Sequence, residues 1–123
     1  MEITFEDANL EDLFRDMDNV RGSKNLMQKK VGLPLAAMIK KRKNQLKAST
    51  TFAAYLQTGL GKPHSLSGSK FYNCYGVSLS ANMRLIIQPS ADDTSPESLS
   101  VCDTVIIKGV VEYHGSKDEW LIP

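Results

Sequence analysis

The hydrophobic period of this chain changes once, near Pro63, from the 3.6-residue repeat of helices to the two-residue repeat of strands. Before that point, Leu10, Leu13, Phe14 and Met17 recur at i, i+3, i+4 and i+7, the stripe of an amphipathic helix. Asp7, Glu11 and Asp12 favour its N-terminal end through the helix dipole, Gly22 is a natural stop, and 24–31 can add another turn or two before Gly32. Ile3-Thr4-Phe5, ahead of this helix, reads as a short edge strand. Leu33-Pro34 opens the second main helix, with Pro34 where its missing N–H is harmless. Leu35, Met38, Ile39 and Leu46 gather on one side of it. Lys40, Lys43 and Lys47 stack on another, with Lys41 between, while Arg42 falls nearer the apolar side and must either reach out or meet an anion. Phe52, Ala53, Tyr55 and Leu56 prolong this helix or begin another, ended by Gly59 and Gly61.

After Pro63, Tyr75, Val77 and Leu79 alternate with small or polar residues. Ser80-Ala81-Asn82 makes a tight turn and Met83 to Gln88 returns as the next strand. Residues 89–100 read as an acidic, flexible hairpin loop. Val101 to Tyr113 is the longest and most apolar strand, with Gly109 a candidate bulge. Helices first and antiparallel strands after them predict an α+β domain, with the N-terminal helices packed on a twisted antiparallel sheet. A length of 123 residues predicts one domain over 1–123, helical over about 7–58 and sheet over about 63–115.

Charge is partitioned as sharply as period. All fourteen acids lie outside 19–91, and that stretch holds twelve of the fifteen basic residues, so a formal net charge of +1 hides a cationic middle segment. Such a segment is the electrostatic footprint of a partner bearing phosphate, unless folding interleaves the acidic flanks with it. The absence of acids at i±3 or i±4 from Lys40 to Lys47 points away from a merely solvated face. No apolar run reaches the roughly 18 residues of a membrane span, and no basic n-region precedes an apolar core, so no membrane partner and a cytoplasmic location are expected. Cys74 and Cys102 lack metal-ligand spacing and read as reduced core thiols. Gly59-Leu60-Gly61-Lys62 imitates the end of a phosphate loop, but Pro63 prevents the helix that motif requires. Neither metal nor cofactor is expected.

Four pieces occur in order: His64-Ser65-Leu66-Ser67-Gly68, Tyr75-Gly76-Val77-Ser78-Leu79, Ser80-Ala81-Asn82-Met83-Arg84 followed by Leu85-Ile86-Ile87, and Glu112-Tyr113-His114. Together they resemble the toxins of the RelE/ParE superfamily, most closely the HigB-type "killer protein" branch, over about 62–115. The resemblance implies the RelE-like microbial RNase fold. It also implies a type II toxin that cleaves mRNA on the ribosome and is neutralised by a cognate antitoxin. The implied chemistry is metal-independent attack of a ribose 2′-OH on its own phosphodiester. That reaction requires a base, an acid and fixed positive charge at phosphorus.

By the same resemblance Arg84 is the phosphate-binding arginine, Tyr113 stacks on or hydrogen-bonds near the scissile nucleotide, and Glu112 orients or tunes a neighbour. His64 and His114, the two histidines of the chain, are the acid/base pair, with the division between them open. Lys40, Lys41, Arg42, Lys43, Lys47, Lys62 and Lys70 are candidates for RNA or ribosome contact. Ser67 and Ser80 stand where the branch carries basic residues, and Lys70 is the nearest substitute. A non-enzymatic gyrase poison of the ParE kind and an inactive RNA-binding homologue are the alternatives those serines favour.

Overall fold

Strand β5 (Thr104–His114) is the axis around which this protein is built. In the computed structural model, which describes residues 1–17, 25–66, 68–115 and 117–123, three other strands pair with it. β4 (Met83–Pro89) runs antiparallel along one edge. The other edge is shared by β1 (Glu2–Phe5), parallel to Thr104–Ile107, and β6 (Lys117–Ile122), antiparallel to Val110–His114. β3 (Tyr75–Ser78) and the two-residue β2 (His64–Ser65) continue the sheet beyond β4, giving the order β1-β5-β4-β3-β2 with β6 on β5.

The sheet is therefore mixed, not wholly antiparallel as the sequence suggests. The parallel pair is possible because a helical layer and three strands separate β1 from β5, length enough to return the chain in the same direction. The sheet also extends past residue 115. Three consecutive charges, Lys117-Asp118-Glu119, mask the strand that ends in Trp120-Leu121-Ile122.

The helices are α1 (Ala8–Asp16), α2 (Leu26–Val31), α3 (Leu33–Ala48), α4 (Phe52–Thr58) and α5 (Pro96–Ser100). Short polar side chains start most of them. Asp7 accepts from the Leu10 N–H at 2.8 Å, Asn25 from Gln28 at 2.8 Å and Thr51 from Ala54 at 3.1 Å, each satisfying an otherwise orphaned donor. Thr51 makes α4 a separate helix, and Gly59 ends it in the left-handed conformation. The 89–100 segment is not all loop, since Ser95 caps α5 and Leu99 is buried beneath it. Gly22, Arg21 and Lys24 lie outside the described residues, as does Ser67.

Leu10, Phe14, Ile39, Leu46, Phe52 and Tyr55 from the helices meet Val77, Leu85, Ile87, Val105, Ile107 and Val110 in the main core. Full burial of each such side chain contributes roughly 1.5–3 kcal/mol. The alternate residues of the strands point the other way. Ile86 and Val111 join Phe71 and Cys74 in a second, smaller cluster, against which Leu66 and Tyr113 pack. Among the described residues the sheet thus has a helix-covered face and a second face on which Leu66, Phe71 and Cys74 pack.

Gly109 is the bulge. Ile86 pairs with Gly109 and Ile87 with Ile107, so Lys108 is the extra residue. The φ of Gly109 is +146°, and a Cβ there would stand 2.3 Å from the Ile122 carbonyl oxygen. Only glycine lets β6 close against β5.

Candidate active site

The β3–β4 turn creates the setting for Arg84. The Leu79 N–H bonds the Met83 carbonyl at 3.0 Å, which folds Ser80-Ala81-Asn82 back over the start of β4. Arg84 Nη1 then donates to the Ser80 carbonyl at 2.7 Å and the Met83 carbonyl at 2.9 Å. The donors on Nε and Nη2 have no hydrogen-bond partner among the described residues, and no carboxylate there pairs with this arginine. A guanidinium held by one nitrogen with two others unused is oriented for a bidentate oxyanion.

Arg84 lines a cleft of about 360 Å³ with Lys62, His64, Ser78, Ser80 and Ala81. His64 pairs with Gly76 across β2 and β3, and its ring lies over that glycine, where a Cβ would stand 3.7 Å from Cε1. The imidazole is exposed, with Nδ1 3.3 Å from the Lys62 carbonyl. Lys62 adopts a left-handed φ of 49°, uncommon for a side-chain-bearing residue and found disproportionately at functional turns. This loop is pinned from below. The Ser78 N–H bonds the Gly61 carbonyl at 2.8 Å, and a Cβ on Gly61 would strike Val77 at 2.5 Å. The Tyr55 hydroxyl donates to the Leu60 carbonyl at 2.8 Å.

Arg42 belongs to this support. Its Nε donates to the Ser78 carbonyl at 2.9 Å and its Nη1 to Gln45 at 3.0 Å. The arginine left ambiguous by the helical pattern thus braces the cleft from behind, meeting a backbone carbonyl instead of an anion.

The three residues at the end of β5 separate. Val111 and Tyr113 belong to the second cluster, and the Tyr113 ring lies 5.5 Å from the Arg84 guanidinium. Burial, and secondarily Asp118, push the Tyr113 phenol up, with Arg84 pulling it down, so the ring presents a neutral hydroxyl. Glu112 pairs with Met83, which packs on the main core, and so projects to the opposite face. His114 goes with it: its Nε2 is 2.6 Å from Glu112 and 3.6 Å from Glu119. The structure brings Arg84, Tyr113, His64 and Lys62 to one end of one face, and does not bring His114 and Glu112 to them.

The basic stripe of α3 also divides. Lys43 is buried, on the same stripe as Ala36, Ile39 and Leu46, because 39, 43 and 46 are spaced by four and three. It lines a crevice with Lys47, Glu2, Glu11 and Arg15, where the acidic N-terminal segment meets the cationic middle. This corrects the expected stacking of Lys40, Lys43 and Lys47 on a side apart from the apolar one, since Lys43 lies on the buried stripe. Lys40 and Lys41 instead line a groove between α3 and α4 whose described lining holds no acidic residue. Lys70 sits on the second face with its Nζ 5.4 Å from the Phe71 ring. Ser78 and Trp120 are positions the sequence reading does not single out. Register finds both, since Ser78, Arg84, Val111 and Trp120 form one row across β3, β4, β5 and β6.

Among the described residues no three His, Cys, Asp or Glu side chains come together as a metal would require. No helix there is long and apolar enough to cross a membrane. Cys74 and Cys102 are free, buried thiols, and burial pushes the Cys74 thiol up.

No protein-family model matches the chain, and no curated protein does. Among solved structures it is similar to a chain of the YoeB–YefM complex from Staphylococcus aureus, at 18% identity over 93% of this chain and 97% of that one, with a TM-score of 0.49.

Proposed function

We propose that this chain is a metal-independent endoribonuclease of the RelE/ParE toxin kind, with its active site in the cleft of Arg84, His64 and Lys62. The observation that carries the proposal is a guanidinium with two unused donors beside an exposed imidazole, with an aromatic ring against it. In the proposed step a base takes the proton of a ribose 2′-OH, whose oxygen bonds the adjacent phosphorus. The P–O5′ bond breaks, O5′ is protonated, and a 2′,3′-cyclic phosphate and a 5′-OH end leave. Nε and Nη2 of Arg84 bind the non-bridging oxygens, where charge grows in the transition state, and Lys62 adds a second fixed charge. His64 is the proton-transfer group lining the cleft, and Tyr113 supports the nucleotide with its ring and a neutral hydroxyl.

The finer reading rests on the four motifs. It is a HigB-type toxin that cuts mRNA on the ribosome and is restrained by a cognate antitoxin, with the ribosome supplying orientation a small chain lacks. Lys40 and Lys41 are its proposed ribosome contacts, with Lys47 at the margin. Ser80, uncharged and lining the cleft, is the observation favouring the second reading, an inactive RNA-binding homologue. Induction of the chain in bacteria, followed by mapping of RNA 5′-OH ends, separates the readings. New in-frame 5′-OH ends that vanish with Arg84→Ala support the nuclease. Growth arrest without such ends moves the target elsewhere, to gyrase first, and neither arrest nor ends leaves the inactive homologue.

A further inference from the structure

Trp120 is the one tryptophan of the chain and lies outside every motif that suggests a nuclease. It stands on β6 opposite Val111, which in turn stands opposite Arg84, so all three share a row and a face. Two strand spacings separate Arg84 from Trp120, roughly 10 Å, a span of the scale of neighbouring residues in one extended single strand. The indole is laid over the Gly109 bulge: a Cβ at Gly109 would fall 2.9 Å from Trp120 Cζ3. In the next row, His64, Gly76, Ile86 and Gly109 follow one another across the sheet. Two rings therefore lie over two glycines, with Ile86 between them.

The indole is 37% exposed although it packs on Phe71, with ring centroids 6.0 Å apart. Lys70 Nζ stands 5.8 Å from the indole centroid. A partly exposed aromatic surface with an exposed lysine over it is a combination that binds single-stranded nucleic acid, by stacking a base once the flexible lysine stem swings aside to pair its phosphate.

We propose that Trp120 stacks a nucleobase of the same RNA strand whose scissile phosphate lies at Arg84, and that Lys70 pairs with the phosphate next to that base. The inference deepens the nuclease reading and rests on it. It gives the strand a direction across the face, from the cleft over Val111 to the β6 edge.

The test uses the full chain and a short single-stranded RNA, 2′-O-methylated throughout so that no 2′-OH can attack. Because Trp120 is the sole tryptophan, its emission reports this subsite alone. Saturable quenching is expected, with the same midpoint as the anisotropy of an end-labelled oligomer. Trp120→Leu should weaken binding about 5- to 100-fold, Trp120→Phe less, and an abasic residue at one position should weaken wild type but not Trp120→Leu. Far-ultraviolet circular dichroism checks that the variants fold. Should Trp120→Leu fail to fold, quenching of wild type by the abasic series decides alone. An oligomer that binds without quenching, or a series with no position coupled to Trp120, overturns the subsite. Cellular 5′-OH ends persisting in that case would leave the nuclease reading standing, and their absence would remove both.

Discussion

A guanidinium tied by one nitrogen to its own turn behaves differently from one in an ion pair. Arg84 loses nothing structural if its outer donors are removed, because Nη1 alone secures the Ser80 and Met83 carbonyls. Arg84→Lys is therefore expected to fold normally and yet lose about 10²–10³ in RNA cleavage, since an ammonium cannot span two phosphate oxygens. Thermal midpoint and single-turnover rate measured together check this. The two histidines provide a second contrast. His64→Gln should cost about 10²–10⁴ in rate, whereas His114→Gln should cost less than tenfold, because His114 is held by two carboxylates away from the cleft. Equal losses in both variants would bring His114 round the tip of β5 into the cleft. That Arg84 and His64 come to one cleft was foreshadowed by the sequence, because each sits in a short motif next to a turn or proline. The division of Tyr113 from His114 was not. A motif is read along the chain, and a strand sends consecutive residues to opposite faces.

At the scale of elements, the cleft is held by what lies under it. Burial pushes the Tyr55 phenol up to about 12 from its ordinary 10.0, even though Arg42 pulls it down. The folded state thus holds a proton that the unfolded chain releases earlier. This stability is fully present below pH 10 and is lost as pH rises through about 12, a change on the order of 2 kcal/mol. A thermal midpoint that falls over this window in wild type, and falls less in Tyr55→Phe, is the expected result. Gly109→Ala should destabilise by about 2 kcal/mol or more, because the new methyl meets the backbone of β6 and not a flexible side chain. The accompanying signature is a shift in Trp120 emission as the indole leaves the bulge. The helical stripe, the β3–β4 turn and the bulge were all legible from period and glycine. β6 was hidden by its three leading charges, and the burial of Lys43 by its charge, although its spacing from Ile39 and Leu46 gave it away.

For the whole molecule, the segregation of charge in the sequence is partly undone by the fold. Glu2 and Glu11 come against Lys43 and Lys47, while Lys62, Lys70 and Arg84 remain on the second face with the cleft. If those three cations each meet one phosphate, the logarithm of the binding constant for a short RNA should fall with the logarithm of salt at a slope of about −2. A slope near zero would deny the face a phosphate-binding role. Which cations stay available could not be read from one dimension, since it depends on β1 returning to lie beside β5. That return carries a further consequence. Ile3 sits opposite Val105, so the first strand waits for a partner about one hundred residues later in synthesis. The closing contacts are among the most distant the chain can make, and such contacts form late. A growing chain therefore carries Arg84 and His64 out of the exit tunnel well before the strand that completes the sheet behind them, and β1 stays unpaired until Thr104–Ile107 has followed.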